Sequence, residues 1–275
     1  MRYEVVKGCA FCRIHLDRWT GEHMDFTGKK VLITGGSRGI GRACALGFAE
    51  YGARVAINYR GNTAAAEATL AELQGHGHVM LQADVSDPEA VKGLVAASVD
   101  ALGGLDIAIN NAGIFVEHVL EDVDYEEWQT AWDRVLKANL IGPANLCHCA
   151  AKHMIEHGGG KIVNVSSRGS FRGEPNGPAY GASKAGLNAM SQSLAKRLAP
   201  HGISVGVVAP GFVDTDMAAR YHDTPMWDDI VTQSPFGRIA KPEEVAAAVF
   251  FLASDDAEFS SGAIIDVNGA SYLRT

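Results

Sequence analysis

Short apolar runs rich in Val, Ile and Leu alternate with amphipathic stretches along this chain, and that alternation restricts its fold more than any other feature. KKVLIT (29–34) is followed by a helical stretch over 39–52, ARVAINY (53–59) by one over 62–74, and HVMLQAD (78–84) by one over 88–102. LDIAINNAG (105–113) leads to a long helical stretch near 125–156, and KIVNVSS (161–167) to a helix over about 178–200. ISVGVVAPG (203–211), a helix over 242–253 and the strand GAIIDVNG (262–269) complete the series. Near-continuous apolar strands joined by helical crossovers bury both faces of a parallel sheet under helices. The expected fold class is α/β: a single-domain, doubly wound parallel sheet with helices on both faces. No composition break or internal repeat suggests a second domain.

Of the 275 residues, 47% are hydrophobic and 20% charged, the profile of an ordinary globular chain with a large core. A formal net charge of −8 disfavours attraction to nucleic acid or an anionic membrane. The longest apolar runs, such as AAAVFFLA at 246–253, fall well short of a membrane span. Five cysteines without a regular framework fit a reducing compartment, and the charged first 23 residues do not resemble a signal peptide; a cytoplasmic location is expected. Residues 1–23 are read as a loosely ordered N-terminal extension ahead of MDFTGKK at Met24, with the domain spanning 24–275. Cys9-x-x-Cys12 with His15 and His23 resembles part of a metal site, as does Cys147-His148-Cys149 with His153, but neither offers a complete ligand set and no metal is expected.

The first strand runs directly into Gly35-Gly36-Ser37-Arg38-Gly39-Ile40-Gly41, and a helix begins at once. Glycines let the backbone approach a pyrophosphate, and a helix N-terminus supplies free N–H groups and positive potential. The spacing T-G-x-x-x-G-x-G, between strand and helix, points to a dinucleotide site. An acidic residue at the end of the second strand would hold a ribose 2′-hydroxyl and repel a 2′-phosphate. This chain has Asn58-Tyr59-Arg60 there, with Arg38 in the glycine turn. Two guanidiniums and no carboxylate favour NADP(H) over NAD(H).

Tyr180 and Lys184 in YGASK stand one helical turn apart, on one helix face. A phenol ordinarily ionises near pH ~10. A neighbouring ammonium is expected to lower that value and make Tyr180 an acid or base near neutrality. Ser167 lies thirteen residues upstream, at the end of an apolar strand; by residue type alone Ser166 serves as well.

TGGSRGIG, NNAG at 110–113, Ser167, YGASK and PGFVDTDM at 210–217 together resemble the short-chain dehydrogenase/reductase family, over about residues 25–270. Within it the chain is most similar to the branch of 3-oxoacyl-ACP reductases and many polyol dehydrogenases. The resemblance implies a Rossmann-like fold and an NADP(H)-dependent oxidoreductase. Thr34, Gly35, Gly39 and Gly41 match the cofactor turn, which also holds Ser37, Arg38 and Ile40; Tyr59 and Arg60 end the second strand. Asp84 and Val85 match the adenine contact. Asn111, Ala112 and Gly113 match the segment flanking the cofactor ribose. Pro210, Gly211, Val213 and Thr215 match the stretch contacting the nicotinamide carboxamide and phosphates. Asn139 corresponds to an asparagine that holds a water behind the lysine, and Ser167, Tyr180 and Lys184 to the remaining catalytic positions; Tyr180 and Lys184 also face the cofactor.

The family further implies a homotetramer built on the long helical stretch and the Tyr180 helix. It also implies a substrate lid within 216–234, where Tyr221, Trp227, Asp228 and Asp229 are candidate specificity residues. Docking of an acidic carrier protein requires cations near the site entrance, and by spacing those positions fall on Gly158 and His201. Neither is a permanent cation, so the expected substrate is a small free secondary alcohol or its ketone. A 3-oxoacyl-ACP or acyl-CoA substrate is the alternative, and a non-catalytic NADP(H)-binding protein a third reading.

Overall fold

Alternate side chains of a strand point to opposite faces of its sheet, and the strands here are apolar on both. In the computed structural model, which describes residues 24–274, the strands are β1 (Lys30–Ile33), β2 (Arg54–Tyr59), β3 (Val79–Gln82), β4 (Ile107–Asn110), β5 (Gly160–Val165), β6 (Ile203–Pro210) and β7 (Ile264–Val267). They form one sheet in the order β3-β2-β1-β4-β5-β6-β7, parallel throughout. Val31 stands opposite Val55 on one side and Ile107 on the other. Order reverses between β1 and β4, the switch point at which such sheets bind ligands beyond their carboxyl ends.

Helices α1 (Gly39–Glu50), α2 (Thr63–Glu72), α3 (Pro88–Leu102), α4 (Tyr125–Leu136) and α5 (Gly142–Glu156) precede β5. After it come α6 (Gly169–Arg172), α7 (Pro178–Leu198), α8 (Asp216–Ala219), α9 (Met226–Thr232) and α10 (Pro242–Ala253). Local chemistry sets several ends. Asp87 accepts from Glu89 N and Ala90 N to start α3, with Pro88 in the first turn, and Gly103 at φ +73° ends it. Asp124 and Glu127 form a reciprocal capping box on α4. One sheet face packs Val31, Ile33, Val55, Ile57 and Val163 with Phe48 and Phe250. The opposite face packs Leu32, Ala56, Ala108 and Ile162 with Leu94, Leu146, Met154 and Leu198. Each fully buried side chain of this size contributes about 1.5–3 kcal/mol.

The helical stretch expected over 125–156 is interrupted. Residues Lys137–Ile141 form a π-helical turn in which Gly142 N bonds Lys137 O. The wide turn carries Asn139, whose amide is drawn to the loop after β4. Periodicity gave no sign of α6, α8 or α9, each too short to show a repeat. Among the described residues no helix is long and apolar enough to cross a membrane. Cys9, Cys12, His15 and His23, and the proposed extension over 1–23, lie outside the described residues.

Candidate active site

The turn after β1 is shaped by close backbone approach. Gly35 and Gly39 have φ of +63° and +52°, where a side chain is strained. A Cβ on Gly41 would lie 2.2 Å from Gly35 O and 2.5 Å from Asn111 Nδ2, so only glycine lets α1 leave the turn this tightly. Thr34 is buried and stitches the switch point: its Oγ1 accepts from Asn111 N at 3.0 Å and Ala112 N at 3.1 Å. Asn111 Nδ2 in turn donates to Thr34 O at 2.9 Å. At the end of β2, buried Asn58 accepts from Gly35 N and donates to Ala83 O, tying the turn to β2 and β3.

These elements open onto a cleft of about 830 Å³ at the carboxyl ends of the strands. Gly35, Ser37, Arg38, Gly39 and Ile40 line it, with Tyr59, Arg60, Asp84 and Val85 on one side. Asn111, Ala112 and Gly113 form its floor, and Ser167, Tyr180, Lys184, Pro210, Gly211, Val213 and Thr215 line the other end. Thr34, Gly41 and Asn139 stand behind the wall and shape it without lining it. Arg38 Nη1 pairs with Asp216 Oδ2 at 2.9 Å across the cleft mouth. Both groups are exposed, so the pair is weak and easily exchanged. Burial works to raise Asp84, but bonds from the Ser86 backbone and hydroxyl, with the Arg60 charge, hold its carboxyl below the usual range.

At the far end Tyr180 and Lys184 rise from one face of α7. Lys184 is buried and its Nζ donates to Val165 O at 2.8 Å. Burial lowers its ammonium to about 8. The Tyr180 phenol is raised to about 12, chiefly by burial; a Ser167 hydrogen bond lowers it and the Glu174 charge raises it. The expectation that Lys184 makes this phenol acidic is therefore corrected: Nζ lies 5.9 Å from the ring centroid, directed at a backbone carbonyl, and desolvation dominates. The two serines are distinguished. Ser167 Oγ meets the phenol and accepts from Gly169 N at 3.0 Å, whereas Ser166 Oγ donates to Lys184 O at 3.3 Å. Asn139 is fully buried and clamps Ile114, its Oδ1 accepting from Ile114 N and its Nδ2 donating to Ile114 O, both at 2.8 Å. Nδ2 also reaches Ser183 Oγ at 3.3 Å, so both donors hold protein. Across Gly113, its Oδ1 and Lys184 Nζ would each come within 3.5 Å of an added Cβ.

Several cleft residues carried no sequence signal of their own. Phe115 packs edge-on to Tyr180 at 5.2 Å, and Arg220 stacks over Phe115 at 5.0 Å. Arg168, next to Ser167, is buried over the Phe212 ring and bonds Ser271 and Gln233. Burial, with the Arg172 charge, lowers it to about 10. Of the four lid candidates Tyr221 lines the cleft, but Trp227, Asp228 and Asp229 do not; Trp227 packs on His222 instead. Gly158 and His201 are also displaced from expectation: they precede β5 and β6, at the amino ends of the strands, opposite the cleft. Neither position stands at the site entrance, so neither bears on docking of an acidic carrier there. Cys147 is a core residue accepting from Asn110 Nδ2 at 3.3 Å, and His153 stacks on His157 at 4.0 Å.

The family model described as enoyl-(acyl carrier protein) reductase matches residues 35–270. A 3-oxoacyl-[acyl-carrier-protein] reductase of Staphylococcus aureus (strain Mu50) is 39% identical over 247 residues, covering 89% of this chain and 98% of the relative. One from Synechocystis sp. is 35% identical over 250 residues, covering 90% and 98%. Among solved structures, a short chain dehydrogenase from Burkholderia cenocepacia J2315 in complex with NADP superposes with a TM-score of 0.81 at 35% identity, over 90% of this chain and 99% of that one. A dehydrogenase/reductase from Sinorhizobium meliloti 1021 gives 0.81 at 33% identity, over 90% and 97%. With the doubly wound sheet, the glycine turn and the Ser167–Tyr180–Lys184 cluster, these similarities identify the chain as a member of the short-chain dehydrogenase/reductase family of oxidoreductases.

Proposed function

We propose that the protein is an NADP(H)-dependent oxidoreductase interconverting a secondary alcohol and a ketone on a small free substrate, acting as a homotetramer in the cytoplasm, with residues 24–275 as the working domain. The observation that carries this reading is the convergence of Ser167, Tyr180 and Lys184 at one end of a cleft whose other end is the glycine turn. The residues present fit a dinucleotide. Gly35 and Gly39 open the backbone at positive φ, the α1 N-terminus faces the cleft, and Arg38 and Arg60 stand where β2 ends without a carboxylate. The cofactor, when bound, supplies the hydride.

The chain's own groups hold and move the proton. Ser167 and Tyr180 donate hydrogen bonds to the substrate carbonyl oxygen and polarise it; Tyr180 then protonates that oxygen as it becomes an alkoxide. A phenol raised to about 12 keeps its proton at neutral pH, so Tyr180 is set to act as an acid in the ligand-free protein. Lys184 places positive charge beneath the site, and Asn139 fixes the loop that carries Gly113 and Ile114.

Arg38 and Arg60 yield a test of cofactor choice. Replacing both with alanine is expected to weaken NADPH by about 10- to 100-fold, the loss of charge-assisted hydrogen bonds, and to change NADH by less than about threefold. Fluorescence titration with each cofactor checks this, and equal losses would remove the 2′-phosphate assignment.

Reduction of a 3-oxoacyl thioester is the second reading, favoured by the relatives named as 3-oxoacyl-[acyl-carrier-protein] reductases at up to 39% identity. Net charge −8 argues against it, since an acidic carrier would meet no long-range attraction. Initial rates of NADPH oxidation with acetoacetyl-CoA, beside simple ketones and keto-sugars, separate the two. Turnover confined to the small carbonyls is the expected result, and rapid thioester reduction establishes the second reading.

A further inference from the structure

One glycine in the catalytic segment makes room for a carboxylate. A Cβ on Gly169, two residues after Ser167, would lie 2.5 Å from Glu174 Oε1 and 2.8 Å from its Cγ. One on Gly181, next to Tyr180, would lie 3.7 Å from the Glu174 backbone nitrogen and 4.0 Å from its Cβ. The Glu174 side chain thus lies against the backbone segment that carries Ser167, with its own main chain beside that of Tyr180, and it lines the same cleft. Its charge is felt at the Tyr180 phenol.

Among the described residues, no hydrogen-bond donor and no ion-pair partner within 4 Å reaches this carboxylate; Arg172 and Arg168 act on it through charge at longer range. Their guanidiniums bond Gln233, and Arg168 also bonds Ser271, instead. A half-buried carboxylate offers up to about four acceptor sites, and leaving them dry when a substrate fills the cleft is costly. Burial already pushes this carboxyl above its usual range.

We propose that Glu174 is a specificity-determining residue that accepts a hydrogen bond from a substrate hydroxyl close to the reacting carbon, so that the substrate is a hydroxyketone or the corresponding diol. This rests on the small-carbonyl reading above and names its substrate class. A neutral hydroxyl fits better than the other candidates. An ammonium group would face Arg168 and Arg172, and a carboxylate would face Glu174 itself. A 3-oxoacyl thioester carries only acceptors beside its ketone and would leave Glu174 without a donor.

The test compares 1-hydroxy-2-butanone with 3-pentanone, in which a methyl replaces the hydroxyl, by initial rates of NADPH oxidation. In the wild-type protein the ratio of kcat/KM values is expected to favour the hydroxyketone by about 10- to 100-fold, the range for a hydrogen bond to a charged group. Glu174→Leu is expected to bring the ratio close to one, and Glu174→Gln, which keeps an acceptor oxygen, to retain part of it. An indifferent wild type, or variants that lose both substrates in parallel and keep the ratio, would overturn the proposal. If Glu174→Leu does not fold, the wild-type ratio and Glu174→Gln decide. Turnover of acetoacetyl-CoA with neither ketone reduced overturns the proposal but leaves an oxidoreductase, whereas no oxidation with any carbonyl overturns the small-carbonyl reading as well.

Discussion

Replacing Tyr180 with phenylalanine is expected to lower kcat for carbonyl reduction by about 10²- to 10⁴-fold, the usual contribution of a positioned general acid, with NADPH affinity near the wild-type value. The substitution removes one oxygen and leaves the ring against Phe115. The lost group is the proton donor itself, and Ser167, whose hydroxyl meets the phenol, can still hydrogen-bond the substrate but has no comparable acid behind it. Lys184 keeps its bond to Val165 O, so the cofactor side of the cleft is undisturbed. Single-turnover rates and cofactor titration separate the two effects. Wild-type turnover in this variant would falsify the assignment of the acid, and parallel loss of NADPH binding would show that the phenol supports the cofactor site instead.

The second large effect concerns the glycine turn. Gly41→Ala is expected to destabilise the fold by about 3 kcal/mol, the upper end for overpacking, and to weaken cofactor binding with it. The added methyl would sit 2.2 Å from Gly35 O and 2.5 Å from Asn111 Nδ2. Neither atom can retreat cheaply. Gly35 is held at positive φ by the turn, and Asn111 Nδ2 bonds both Thr34 O and Gly35 O. A control lies in α3, where exposed Gly93 has nothing within 4 Å of an added Cβ. Gly93→Ala is expected to stabilise by about 0.5–1 kcal/mol, because alanine suits a helix interior and meets no neighbour. Urea unfolding of the two variants provides the comparison, and a Gly41→Ala midpoint equal to wild type would show that the turn has slack the contacts do not suggest.

Much of the architecture was legible because it rests on period and punctuation. Strands buried on both faces read as continuous apolar runs, and α3 and α10 span the stretches that the pattern predicts, Pro88–Leu102 and Pro242–Ala253. The long helix over 125–156 read as one element because its apolar period runs through Asn139. At the π turn that amide bonds Ile114 N and O, and Gly142 packs so closely that an added Cβ would lie 2.2 Å from Val85 O, contacts that period does not record. Gly158 and His201 show the limit of spacing: their distance in sequence from Ser167 and Tyr180 is fixed, but a strand and a helix carry them to the opposite end of the sheet.

The doubly wound sheet, the glycine turn and the identity of the Ser167, Tyr180 and Lys184 cluster are written in the chain, because period, glycine placement and residue type are local properties of it. The tertiary structure decided what local properties cannot carry: which serine meets the phenol, which groups wall the cleft, and how far burial moves each proton. Desolvation depends on neighbours drawn from distant segments. For that reason Tyr180 stands at about 12 rather than below its ordinary value, and Lys184 at about 8.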